Sequence, residues 1–127
     1  MTGKDVLNQA LKLLNYTNMH GEIDTQRSAT IFKRSLPILN QVYSDLYRIE
    51  GSQSAFSPLQ DINSMVFLSD VTCRDVMPYG VAMWISQAEG DGDNQAVFSA
   101  LYNQKRSSVK RPVESRQDVL PIGDDWG

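Results

Sequence analysis

Residues 24–50 read DTQRSATIFKRSLPILNQVYSDLYRIE, a run in which Ala29, Phe32, Leu36, Leu39, Tyr43 and Leu46 recur at alternating steps of three and four. That period puts them on one stripe of a long amphipathic helix, and Asp24 or Thr25 offers an N-cap oxygen for an otherwise free backbone N–H. Ile31, Ile38, Val42 and Ile49 form a second apolar row. Two rows imply contacts on two sides, one with the core and one with a neighbouring subunit. Pro37 lies inside the run, lacks an N–H and crowds the preceding turn, so a kink or break is expected between residues 26 and 36. The helix should end near Gly51.

Upstream, Val6, Leu7, Ala10, Leu11 and Leu14 share one helical face, and Thr2 with Asp5 resembles a capping box. This predicts a first helix over residues 3–14, ended by Asn15 or Asn18. Downstream, residues 51–69 are poor in charge and aperiodic apart from Met65-Val66-Phe67-Leu68, which predicts a long loop with room for a short strand at that quartet. Asp70 or Thr72 would cap a third helix carrying Val76, Met77, Val81, Met83, Trp84, Ile85 and Ala88, apolar nearly all round and therefore buried. Pro78 and Gly80 would bend it or open its first turn. Asp91 or Asp93, after the turn Glu89-Gly90-Asp91-Gly92-Asp93, would cap a fourth helix with Ala96, Val97, Ala100 and Leu101 facing inward and an end near Ser107.

Beyond Val109 the prolines Pro112 and Pro121 and the lack of a helical period predict an extended tail. The fold class expected is therefore all-α: a bundle of about four helices over residues 1–111, with a long second helix, a long loop and an extended tail over residues 112–127. Within the tail, Val119, Leu120, Ile122 and Trp126 are too apolar for a solubilising terminus and read as a docking segment.

Length and composition agree with one ordinary globular core. The chain has 127 residues, 41% hydrophobic and 21% charged, and a fold of this size hides roughly two thirds of its unfolded surface. The stretch has no apolar run of about 18 residues, the length a spanning helix needs, and its start lacks a secretory profile, so synthesis and use in the cytosol without membrane insertion are expected. The net charge of −3 hides an asymmetry. Residues 51–104 hold one base, Arg74, against six acids, a net of −5; residues 105–116 hold five bases against Glu114, a net of +4. Separate acidic and basic stretches can attract copies head to tail, which makes Lys105, Arg106, Lys110, Arg111, Asp91 and Asp93 candidates for subunit contacts or for the lining of a channel.

Chemistry finds little to stand on. Cys73 is the only cysteine and His20 the only histidine, which rules out an internal disulfide, a four-thiolate zinc site and an imidazole cluster. Cys73 reads as a small core residue and His20 as a surface loop residue. Glu89, Asp91 and Asp93 have the spacing of a calcium loop, but Asn94 stands where its glycine belongs and Ala100 where its bidentate glutamate belongs. A turn followed by a helix N-cap accounts for the same residues. No phosphate loop, dinucleotide fingerprint or metal-helix motif occurs, so neither catalysis nor a cofactor is expected.

The stretch over residues 76–109, VMPYGVAMWISQAEGDGDNQAVFSALYNQKRSSV, resembles the head-to-tail connector (adaptor) proteins of tailed bacteriophages. The resemblance rests on Pro78-Tyr79-Gly80 at the entry to a buried helix, on the turn from Glu89 to Asp93, and on Leu101-Tyr102 in the following helix. Leu7-Asn8-Gln9-Ala10-Leu11 and the long helix ending near Leu46 extend it over most of the chain. It implies a helical subunit that forms a ring, dodecameric in the virion, beneath the portal at the head-tail junction. It also implies a C-terminal segment reaching into the portal through Val119, Leu120, Ile122 and Trp126, and contact of loop 51–69 with a downstream tail-completion protein. Transient contact with passing DNA through the basic residues fits the same picture. Two other readings compete with it: a DNA-associated packaging or regulatory protein that binds phosphate through residues 105–116, and a small metal-dependent enzyme built on the acids around Asp91.

Overall fold

The computed structural model describes residues 1–50 and 55–109. Among the described residues five helices follow in chain order: α1 (Gly3–Leu13), α2 (Thr25–Glu50), α3 (Asp70–Asp75), α4 (Met77–Ala88) and α5 (Gly92–Arg106). The all-α class is as expected, with α3 and α4 together standing where the sequence predicts one bent helix. Lys110, Arg111 and the predicted tail lie outside the described residues.

Local chemistry sets most helix ends. At α1, Thr2 Oγ1 accepts from Asp5 N at 3.2 Å while Asp5 Oδ2 accepts from Thr2 N at 3.0 Å, a reciprocal capping box. Asn15 ends that helix at φ 63°, a left-handed conformation that asparagine tolerates better than most residues. Asp91 caps α5, accepting from Asn94 N at 3.1 Å, and Ser107 closes it.

Details of α2 and α3 differ from the sequence expectation. α2 runs through Pro37 without a break. Pro37 is exposed, so the bond it cannot donate is lost at the rim of the helix rather than in the core. The buried seam of the first half of α2 is also not the predicted one: Ala29 is exposed, while Ser28, Ile31 and Ser35 are buried. The cap of α3 is Ser69, whose Oγ accepts from Thr72 N at 3.3 Å, rather than Asp70 or Thr72. Pro78 explains the break between α3 and α4, because a proline there removes the N–H that would have bonded the Arg74 carbonyl. Val76 sits at φ −119° and ψ −54°, and Tyr79 N reaches back only three residues to the Val76 carbonyl.

α4 is the central element and packs on every other helix. Met77, Val81 and Ile85 from α4 join Leu7 and Leu11 from α1 and Leu39, Tyr43 and Leu46 from α2 in one fully buried core. Gly80 permits this crossing: a Cβ there would lie 2.7 Å from Tyr102 Cε1 and 2.8 Å from Val42 Cγ1. The Pro-Tyr-Gly entry and the Leu-Tyr pair are thus two sides of one contact, the α4 backbone against the Tyr102 ring. Cys73 is buried as expected, its Sγ donating to the Leu68 carbonyl at 3.8 Å, and burial pushes its thiol pKa up.

The face of α5 is a correction. Ala96, Val97 and Ala100, expected to point inward, are exposed, whereas Phe98 and Tyr102 are buried and Leu101 half-buried. Two stripes were available on this helix. The aromatic one wins, because two rings bury far more apolar surface than two alanines and a valine.

Candidate assembly surfaces

Residues 55–69 form a strap laid along one face of α2. Asn40 clamps it through both amide atoms, Leu59 N donating to Oδ1 at 2.7 Å and Nδ2 donating to the Leu59 carbonyl at 3.2 Å. Tyr43 Oη accepts from Phe67 N at 3.1 Å, and burial raises the pKa of this phenol. The Glu50 carboxylate accepts from Ser69 N, from Thr72 Oγ1 and, at 2.9 Å, from Ser69 Oγ. A negative charge there also suits the positive end of α3. Asn40, Tyr43 and Glu50 share a face because three and seven residues separate them, close to one and two helical turns.

The strap also completes α1. Lys4 N donates to the Ile62 carbonyl at 2.6 Å and Gly3 N to the Ser64 carbonyl at 3.0 Å, which satisfies helix-terminal donors that have no partner within α1. Val66 N donates to the Met1 carbonyl at 2.9 Å, and Met65 and Thr2 pair as an isolated bridge, so the possible strand at residues 65–68 is reduced to one rung. Gly3 allows the approach, since a Cβ there would meet the Ile62 carbonyl oxygen and Leu59 Cδ1, each at 3.1 Å.

The strap is part of the core on one side and open on the other. Leu59 and Val66 are buried, but Phe67 is 74% exposed, Val71 60% and Met65 50%. Phe67 and Met65 border two adjoining hollows: one of about 490 Å³ lined by Tyr43, Tyr47, Pro58 and Leu59, the other of about 500 Å³ lined by Met1, Glu50, Leu68 and Asp70. An aromatic trio stiffens this end, with ring centroids of Tyr43 and Phe56 at 5.0 Å, Tyr47 and Phe56 at 5.5 Å, and Tyr43 and Tyr47 at 5.8 Å. A second apolar surface lies on another element, the α5 strip of Ala96, Val97 and Ala100, with Val97 53% exposed.

The charged candidates separate into two groups. Arg106 is committed within the chain: its Nε donates to Asp45 Oδ2 at 2.6 Å and its second guanidinium nitrogen to Oδ1 at 2.8 Å. Asp45 also accepts from Tyr102 Oη at 2.7 Å and from Arg48 at 3.0 Å. Arg106 above all holds the Asp45 carboxyl well below the usual range, down to about 2, while burial and then Asp45 push the Tyr102 phenol up. Lys105 Nζ sits 4.6 Å from the Tyr79 ring centroid, a cation–π contact. Asp91 is used as the α5 cap, and Asp93 stands exposed in the first turn, where it favours the helix dipole. His20 is exposed on a turn organised by Asn18, whose Oδ1 accepts from His20 N and Glu22 N. Lys110, Arg111, Val119, Leu120, Ile122 and Trp126 lie outside the described residues.

The sequence reading missed the Asp45 hub, because its partners lie far away in the chain. The exposed Phe67 had left a signal, an apolar quartet inside a polar loop. Among the described residues, no group of three His, Cys, Asp or Glu side chains could hold a metal ion, and no helix is long and apolar enough to cross a membrane. Comparison of the chain with protein-family models, with curated proteins and with solved structures returned no match.

Proposed function

We propose that this chain is a structural subunit of a tailed-bacteriophage head-to-tail connector, a virion protein that joins capsid to tail by assembling with its own copies. The observation that carries the reading is the pair of separate exposed apolar surfaces, Met65-Phe67-Val71 on the strap and α3, and Ala96-Val97-Ala100 on α5. A ring needs two different faces that meet between neighbours, since a self-paired patch closes a dimer and stops. The motifs over residues 76–109 add the resemblance, and they support the subunit interior: Gly80 and Tyr102 form the crossing that holds α4 and α5 together. The partners are other copies of the chain, the portal above and a tail-completion protein below, and the subunit performs no chemistry of its own.

The test is co-sedimentation of the purified full chain with isolated portal rings of a tailed bacteriophage, beside a parallel titration with duplex DNA at low and moderate salt. Binding to portal, with weak or no retention on DNA, supports the connector reading. Indifference to portal with tight DNA binding that falls steeply with salt overturns it in favour of the DNA-associated alternative.

A further inference from the structure

We propose that the groove between the first half of α2 and the end of α4 is a seat for residues 118–126 of the same chain. The groove encloses about 380 Å³, its floor formed by Ile31, Pro37, Ile38 and Ile85 and its rim by Lys33 and Arg34 against Glu89. Lys33, Arg34 and Pro37 are exposed. An apolar floor under a rim of net positive charge suits an extended apolar peptide of negative charge.

Residues 118–126, DVLPIGDDW, have that chemistry. Val119, Leu120, Ile122 and Trp126 supply the apolar surface, and Asp118, Asp124 and Asp125 oppose Lys33 and Arg34. Pro121 presets an extended backbone and so lowers the ordering entropy of docking. Reach favours the same chain. The Arg106–Asp45 pair fixes the end of α5 against α2 at residue 45, and Arg34 lies about 16 Å from there along the helix axis. A segment of the length of residues 110–117 can span at most about 26 Å, enough to deliver residue 118 to the rim. The seat is separate from the strap and from the exposed strip of α5, and the inference does not depend on the connector reading.

Disulfide trapping in the full chain tests it. Ala88→Cys, at the groove, is paired with Ile122→Cys and compared under mild oxidation with Asn103→Cys paired with Ile122→Cys. Asn103 is exposed on α5 and closer to the root of the tail, so an unseated tail would couple to it at least as fast. A seated tail couples to the thiol introduced at position 88 about tenfold faster and within one chain, because the effective concentration there is raised. Adding Lys33→Glu and Arg34→Glu removes that advantage. Equal rates for the two pairs overturn the proposal, and so does an Ala88→Cys product that is a cross-linked dimer whose yield rises with protein concentration.

Discussion

The two halves of α2 belong to one unbroken helix, yet they are held differently. From Leu39 to Glu50 nearly every turn is tied to another element: Asn40 to the strap, Tyr43 to Phe67 N, Asp45 to Tyr102 and Arg106, and Glu50 to the start of α3. From Thr25 to Ile38 the ties thin out among the described side chains. Ser35 Oγ donates to the Phe32 carbonyl of its own helix, Ser28 Oγ is buried without a hydrogen-bond partner among the described residues, and Pro37 borders the groove. The same secondary structure thus serves as a clamp at one end and as the wall of a groove at the other. Among the described side chains, what separates them is long-range polar partners, not helix propensity.

Substitutions can break or sharpen this contrast. The largest effect is expected at Leu39, fully buried in the clamped half: Leu39→Ala should cost about 3 kcal/mol, while Ile38→Ala, its half-buried neighbour covered only by the proposed tail seat, should cost about 1.5 kcal/mol by urea unfolding. Near-equal losses would erase the distinction. Next comes Gly80→Ala, expected to cost about 2 kcal/mol because the new methyl group overlaps Tyr102 and Val42, with Tyr102→Leu as a partial rescue in the double variant.

Asp45→Asn should cost about 1 kcal/mol, and its pH dependence carries the sign. The folded carboxyl titrates at about 2, below its ordinary value of 3.8, so its stabilisation is complete above the ordinary value and is lost as pH falls from there toward the folded one. Melting temperatures of wild type and variant should therefore converge on acidification through that window; a constant gap would remove Asp45 from the clamp. The smallest effect is expected at Ser28→Ala, neutral or stabilising by about 0.5 kcal/mol, since the hydroxyl it removes has no partner. A loss above about 1 kcal/mol, seen in the same unfolding series, would mean that Ser28 is tied after all.

What was legible in the sequence follows the same division. The Thr2–Asp5 box and the Asp91 cap were readable because each closes within one helical turn. The α4 entry was readable in outline because proline chemistry is local. Three things were not. The inward face of α5 depended on a contest between two stripes that only the Gly80 crossing resolves. Ser28 and Ser35 in the buried seam of α2 defy the apolar pattern used to find it. The clamps Asn40–Leu59, Glu50–Ser69 and Asp45–Arg106 join residues 19 to 61 positions apart, beyond any periodic signal. The exposed Phe67 lay between these cases: its quartet marked the loop as unusual, but only the fold separates the inward Val66 from the outward Phe67.

The proposed connector role requires association through the exposed apolar surfaces. Light scattering of the full chain over a wide concentration range, wild type beside Phe67→Ser, tests it most directly. Phe67 is mostly solvent-exposed, so the variant should keep its helix content and melting temperature. The wild-type mass should climb with concentration to a closed oligomer, and Phe67→Ser should shift this assembly to clearly higher concentration. A wild type that stays monomeric throughout, or a variant that assembles just as readily, would contradict it.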